Sequence, residues 1–395
     1  MRPASEAEKE RLGQTFADLC RIPSPFGHER AVADDVAARL RAMGLEVEED
    51  GAAAAAGAEC GNLLARIDGR SESTILLCAH LDTVAQAAPI EPVLVDGGWE
   101  NANDAILGAD NKAAVAVLLE VARRCTIEGS PVGLELLFTV SEENALAGAK
   151  AFDVGRLRSR FGYVFDHATP IGDVIVASPT YFRLAATFRG RAAHAGVRPE
   201  EGRSAVLAAA KAVAAMRLGR LDDQTTANVG SITGGTESTN VVPEHARLLA
   251  EARSLDAGRV ETVVAAMIDA VHDGAADTEC DVDVVCERLF TGYRQKPSAP
   301  VVAVAEAALR ACGYEPRRIA TGGGSDANVL EAAGLPCVNL ANGTERNHEP
   351  TERVSVVALD GMLDVAFALL EEAAALPQEP AALPQEPAPV PDSAA

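Results

Sequence analysis

The chain has 395 residues, 48% of them hydrophobic but only 4% aromatic, and a formal charge of −23. That length holds a large core and fits two domains more readily than one. The acidity repels nucleic acid and anionic membrane surfaces, so neither is an expected partner, and no apolar run reaches the roughly 18 residues a membrane helix needs. Ser5-Glu6-Ala7-Glu8 is a capping-box pattern with Leu12, Phe16 and Leu19 behind it, which predicts a helix from about residue 6. A second helix is expected over 29–43, with Val32, Val36, Leu40 and Met43 at helical spacing and Gly44 as its C-terminal cap. The weak alternation of 62–67 and the unbroken apolar run from Ile75 to Ala79 then mark strands, the second buried on both faces. A helix over 112–124 and strands over 134–140 and 162–165 follow. This alternation predicts a layered α/β domain whose sheet is largely parallel and flanked by helices.

The texture changes near Ser178-Pro179. From there the order is strand (181–188), helix (204–216), strand (226–232), strand (241–252), helix (259–271) and strand (281–289), a β-α-β-β-α-β lid. After Gln295-Lys296-Pro297 the α/β texture resumes with a helix over 301–312, a glycine turn at Gly322, Gly323 and Gly324, a strand over 337–340 and a last helix over 356–374. The expected organisation is a discontinuous domain of residues 1–177 and 295–375 into which a lid and dimerisation domain, 178–294, is inserted. A repeated Ala-Leu-Pro-Gln-Glu-Pro makes 376–395 an expected disordered, Pro/Ala-rich tail. The first residues carry no secretory pattern and the eight cysteines form no CxxC pair, which together predict a cytoplasmic protein with buried free thiols.

Five stretches each supply an acid or a histidine: His80-Leu81-Asp82, Gly108-Ala109-Asp110-Asn111-Lys112, Ser141-Glu142-Glu143-Asn144, Phe165-Asp166 and Asn347-His348-Glu349. Together they form a donor set for two metal ions, with two histidines, an acid able to bridge, further acids and a spare glutamate. His80 and Asp82 close a buried strand, and residues two apart on a strand point the same way. Asp82 can therefore accept a hydrogen bond from His80 and fix its tautomer. Taken singly, the pair also fits an ordinary polar contact, and Asp110 a helix cap. Glu142 and Glu143 are adjacent and project differently, so one can bind metal while the other faces substrate. Oxygen and nitrogen donors alone suit zinc, with manganese or cobalt also accepted.

Through CAHLDTV, ILGADNKAAVA, FTVSEENALAGAKAF, AAHAGVRPEEGRSA, TNVVPEHARLLAEARSLD and ATGGGSDANV, the chain resembles the co-catalytic metallopeptidases that include peptidase T, carboxypeptidase G and the aminoacylases. The peptidase T-like group is the nearest match, over about residues 15–372. The resemblance implies an amide hydrolase with two Zn2+ and a lid that pairs into homodimers. Carried onto these positions, it implies that Asp110 bridges the ions, that His80 and Asp166 complete one shell, and that Glu143 and His348 complete the other. Glu142 is then the general base toward the attacking water, Asp82 an orienting residue, and the peptide bond after Asp110 cis. His194, in Ala193-His194-Ala195-Gly196, resembles the lid histidine that stabilises the tetrahedral oxyanion, sometimes from a partner subunit.

Asn240 and Arg253 look like substrate holders, Arg253 suited either to a bidentate grip on a carboxylate or to a structural ion pair. The Gly322-Gly323-Gly324 turn is expected to present backbone N–H groups to the substrate. Asn111, His167 and Glu349-Pro350 depart from the family's pattern and bear on the pocket wall. The expected activity is that of an aminopeptidase or tripeptidase on short peptides. An N-acyl or N-carbamoyl amino-acid hydrolase using the same site is the alternative. A non-catalytic peptide-binding protein is the remote one, and the presence of Glu142 and of every expected ligand argues against it.

Overall fold

Within the strand Thr74–His80, residues 75–79 are apolar throughout because both faces are covered: Ile75, Leu77 and Ala79 enter one large core, while Leu76 and Cys78 enter a smaller one with Leu330 of the helix Asp326–Ala332. The computed structural model describes residues 2–377, so nearly all of the expected tail lies outside the described residues. Thr74–His80 lies inside a nine-stranded sheet ordered Val47–Glu49, Leu63–Ile67, Gly133–Thr139, Thr74–His80, Gly162–His167, Cys337–Ala341, Asp173–Ser178 and Tyr293–Arg294, with Arg317–Ala320 also pairing Asp173–Ser178. The four strands from Gly133–Thr139 to Cys337–Ala341 are parallel to one another, so their carboxyl ends share one edge. Helices Glu6–Cys20, Arg30–Ala42, Ala109–Glu128, Pro300–Ala311 and Val356–Ala374 supply the large core, where Phe16, Leu40, Val117, Leu363 and Phe367 are buried. Each such side chain contributes about 1.5–3 kcal/mol of burial free energy. Ser5 and Glu8 form the expected reciprocal capping box on the first helix.

A second, antiparallel sheet orders Gly219–Asp222, Thr225–Gly234, His245–Ser254, Thr180–Arg189 and Asp281–Phe290. Helices Ala205–Ala215 and Ala257–Ala276 bury Ala208, Val260 and Val271 against its Leu184, Phe188 and Leu248. The fold class is thus the one read from the sequence, a mainly parallel α/β layer plus a separate antiparallel sheet with helices. Three details differ. The strand expected from 241 begins at His245, because Pro243 has no N–H for the ladder, and Val241 makes only an isolated bridge to His194. Gly219–Asp222 adds a short edge strand. A hairpin, Pro92–Val95 and Gly98–Asn101, turns on Asp96 and Gly97 at φ 47° and 72° and joins Arg353–Ser355 and Thr344–Glu345 in a small sheet.

Among the described residues no helix is long and apolar enough to cross a membrane. All eight cysteines are free, and Cys20, Cys60, Cys78, Cys125 and Cys337 are buried.

Candidate active site

The shared carboxyl edge of the parallel strands gathers the acids and histidines. His80 ends its strand with Nδ1 3.0 Å from the Asp82 carbonyl oxygen. A carbonyl only accepts, so Nδ1 carries the proton and Nε2 is left to face Asp110 Oδ1 at 3.3 Å and Asp166 Oδ1 at 3.6 Å. The carboxylate of Asp82 is 3.4 Å from His80 Nδ1 and does more elsewhere: its two oxygens accept the Glu142 and Glu143 N–H groups, each at 3.0 Å. Asp82 therefore orients the glutamate pair through their backbone, while the imidazole is fixed chiefly by the Asp82 carbonyl.

Asp110 opens the long helix from a backbone that is not yet helical, with ψ 102°, and its peptide bond to Asn111 is cis, as expected. Glu352 accepts from the N–H groups of Leu107, Gly108 and Asp110 at 2.8, 2.8 and 2.9 Å, tying this turn to the loop that carries His348. The two oxygens of Asp110 diverge: Oδ1 faces His80, and Oδ2 is 3.2 Å from His348 Nε2 and 2.9 Å from Asn347 Nδ2. His348 Nε2 is also 2.7 Å from Glu143 Oε1. The turn at Ser141, with φ 50°, aims the two glutamates and is held by buried Glu29, which accepts from both Ser141 N and Oγ.

Four carboxylates crowded around two imidazoles set the electrostatics. Burial, then the Asp110 charge, raises Asp166 to about 8 against the pull of His80. Burial raises Glu142 well above the usual carboxylate range, and Asp166 adds to it. Burial likewise works against ionised Asp110, but hydrogen bonds from His348 and His80 outweigh it and hold its carboxyl below the ordinary value. Hydrogen bonds to Asp110 and Glu143 raise His348 to about 10. The cluster thus draws positive charge onto itself, which a pair of divalent cations satisfies directly.

The donor set fits such ions: His80, Glu142 and Asp166 have ligand atoms within 4.8 Å of one another, and so do His80, Asp110 and Glu143. His348 reaches the second group through Asp110 and Glu143.

The cluster opens into a cavity of about 570 Å³ between the two sheets. Glu142, Glu143, Asp110, Asp166 and His348 line its floor, and Tyr181, Arg183, Arg253 and Phe290 of the antiparallel sheet its roof. Arg253 stacks 4.1 Å above the Tyr181 ring, but its Nε and Nη2 are already closed on Glu251, and Nη1 donates to the Gly322 carbonyl. The bidentate face expected for substrate is therefore occupied by an ion pair. The glycine turn also differs from expectation: Gly323 N–H donates to Thr321 Oγ1, and the Gly323 carbonyl accepts from Ser178, so Gly323 presents no free N–H. Gly323 and Gly324 line the cavity and Gly322 does not. A Cβ on Gly324 would run into the Phe290 ring, which explains a glycine there.

His194 and Asn240 lie outside this cavity. His194 is exposed, its Nδ1 accepting from Gly196 N, and the Asn240 carbonyl accepts from Ala195 N. Both sit on neighbouring segments of the antiparallel-sheet unit, joined by the isolated bridge between His194 and Val241. Sequence reasoning also missed Glu352, Glu29 and Asn347, and Asp326, whose Oδ2 accepts from Thr139 while Oδ1 is buried without a partner.

Residues 180–279 match the family model for the peptidase dimerisation domain, and residues 62–167, which include five of the clustered acids and histidines, match that for peptidase family M28. The Bacillus subtilis protein YqjE is 36% identical over 92% of this chain and 98% of its own length. The aminopeptidase PepT of Bacillus cereus is 38% identical, with 93% and 99% of the two chains covered and a TM-score of 0.84. The chain belongs to the peptidase T-like peptidase family. A tripeptidase of Staphylococcus aureus is similar to this peptidase at 34% identity and a TM-score of 0.88, over 93% and 98% of the chains. In this peptidase the acid and histidine cluster lies at the carboxyl edge of the parallel sheet, under the antiparallel one.

Proposed function

We propose that this peptidase is a cytoplasmic aminopeptidase acting on short peptides, tripeptides foremost, through a two-cation site with Glu142 as general base. The observation that carries the reading is Asp110, whose two oxygens face His80 on one side and the His348–Glu143 pair on the other, with Glu142 beside them at the cavity floor. Similarity to an aminopeptidase and to a tripeptidase supports the substrate class. Two divalent cations, zinc by preference with manganese or cobalt accepted, would be held by His80 and Asp166, by Glu143 and His348, and by Asp110 between them, supplying Lewis-acid polarisation of the scissile carbonyl.

Glu142 takes the proton of the attacking water and returns it to the leaving amine. Asp82 keeps Glu142 and Glu143 in place by binding their N–H groups, so the base does not drift from the carbonyl it serves. Arg253, braced by Glu251 and Tyr181, offers its remaining Nη hydrogens to a substrate carboxylate. His194 serves the cavity of a second copy, across a dimer formed by residues 180–279, where it stabilises the oxyanion.

The test strips the protein with a chelator, reloads it with zinc and compares tripeptides with N-acetyl amino acids. Tripeptides should be turned over faster, and Glu142→Ala should lose about 10²–10⁴-fold in kcat while keeping its metal content. Full activity in that variant sinks the mechanism, and preference for the N-acetyl compounds sinks the substrate class.

A further inference from the structure

The turn that carries Glu142 and Glu143 continues through Asn144 and Ala145, which also form the threshold of a second chamber of about 320 Å³. Asn144, Ala145, Arg183 and Leu289 line both spaces, so the second chamber is a side extension of the catalytic cleft. Its far wall is small, made of alanines, and its charged groups are Lys150, Arg183 and Glu287. Arg183 and Glu287 are cross-strand partners in register, joined at 2.8 Å and each about half exposed. The Lys150 ammonium has no carboxylate within ion-pair distance and no hydrogen-bond partner among the described residues, although it faces the pair closely enough to feel both charges. Lys150 is itself exposed, and partial desolvation with the nearby Arg183 holds its ammonium below the ordinary lysine value, against the pull of Glu287. Two cations thus share one anion in a recess of a chain whose net charge is −23. Such an excess favours an anion, and the Arg183 nitrogens not spent on Glu287 and all three Lys150 donors remain to bind it.

We infer that this side chamber is a carboxylate subsite of the peptidase, in which Lys150 and Arg183 receive a carboxylate of the substrate. The carboxylate is either an acidic side chain or the C-terminus of a peptide long enough to pass the threshold at Asn144–Ala145. The inference rests on the reading of the cleft as a peptide site and adds a preference to it. The neighbourhood also explains why Arg183 needs Glu287: the pair fixes the guanidinium at the mouth, where both chambers meet.

The experiment uses the full-length, zinc-loaded protein. For each position of a trialanine, kcat/KM is measured with Glu and with Gln substituted, and separately for pentaalanine with a free and an amidated C-terminus. At least one pair should favour the carboxylate form, mainly through KM, and Lys150→Met or Arg183→Gln should reduce that selectivity ratio by about tenfold. Lys150→Glu should invert it. A ratio that moves only in the Glu/Gln series identifies a side chain, and one that moves only on amidation identifies the C-terminus. Selectivity ratios equal in the parent and both neutral variants overturn the subsite while leaving the peptidase reading intact. A parent protein that cleaves none of the peptides overturns that reading and the subsite with it.

Discussion

Glu352→Ala removes the carboxylate that ties the backbone of the Asp110 turn to the His348 loop. The carboxylate accepts three backbone N–H groups, Oε2 from Leu107 and Gly108 and Oε1 from Asp110. Hydrogen bonds to a charged group contribute about 1.5–3 kcal/mol each. Against this stands the burial of the carboxyl, which with the nearby Asp110 charge outweighs the pull of those bonds and raises it to about 7, so its net contribution falls below the sum of the three. The net loss on truncation is therefore about 2–5 kcal/mol, a fall in Tm of about 5–15 °C for a domain of this size. Glu352→Gln should be milder, because its single oxygen can still accept from Leu107 and Gly108 while its amide opposes only the Asp110 N–H. In that variant the damage concentrates on Asp110. Zinc affinity, read by chelator competition on the purified protein, should fall by about 10–100-fold with a Tm close to the parent's. An alanine variant that melts with the parent and holds zinc equally well would refute the clamp.

The placement of His194 outside its own cavity makes a mixing experiment informative. Glu142→Ala and His194→Ala chains, each impaired alone, should recover activity when unfolded and refolded together, because a mixed dimer contains one site with an intact Glu142 and a partner's intact histidine. No recovery, with mixed dimers demonstrated, would remove His194 from the chemistry. At the opposite end of the catalytic unit, burial disfavours ionised Glu8, but hydrogen bonds from Arg124, Arg2 and Ser5 outweigh it and hold its carboxyl well below the usual range. A lowered folded-state pKa contributes stability above the unfolded value, near 4.5, that is lost as pH falls below it. Glu8→Gln should therefore melt lower than the parent at pH 7 and converge with it in strongly acidic buffer. A constant gap in Tm down to pH 2 would show that the loss is not one of charge.

The elements that a period or a residue type announces were legible before the structure. Ile75 to Ala79 read as a strand buried on both faces because every residue is apolar, and two cores do meet it. The acids and histidines read as one set because residue type limits which side chains can bind a cation, and the parallel sheet brings their strand ends to one edge. Arg253 was ambiguous in the sequence, yet Glu251 lies two residues away on the same face of an alternating strand, so the ion pair that occupies its fork was open to the same period-2 argument. The hairpin at Asp96-Gly97 carries the ordinary Asp-Gly signal and went unread between two stronger elements.

The acids that hold the site are a different matter. Glu352 lies in a polar loop, Glu29 precedes a helix whose first turn it does not cap, and neither has an interaction partner of distinctive type. Their partners are backbone N–H groups at Leu107, Gly108, Asp110, Gly27 and Ser141, as those of Asp82 are at Glu142 and Glu143. Every residue except proline carries that donor, so nothing in the letters marks which N–H a distant carboxylate will find. A metal ligand is recognisable because its chemistry is rare. A carboxylate that binds backbone becomes recognisable only when the chain is folded, and in this peptidase such carboxylates position Glu142, Glu143 and Asp110 alike.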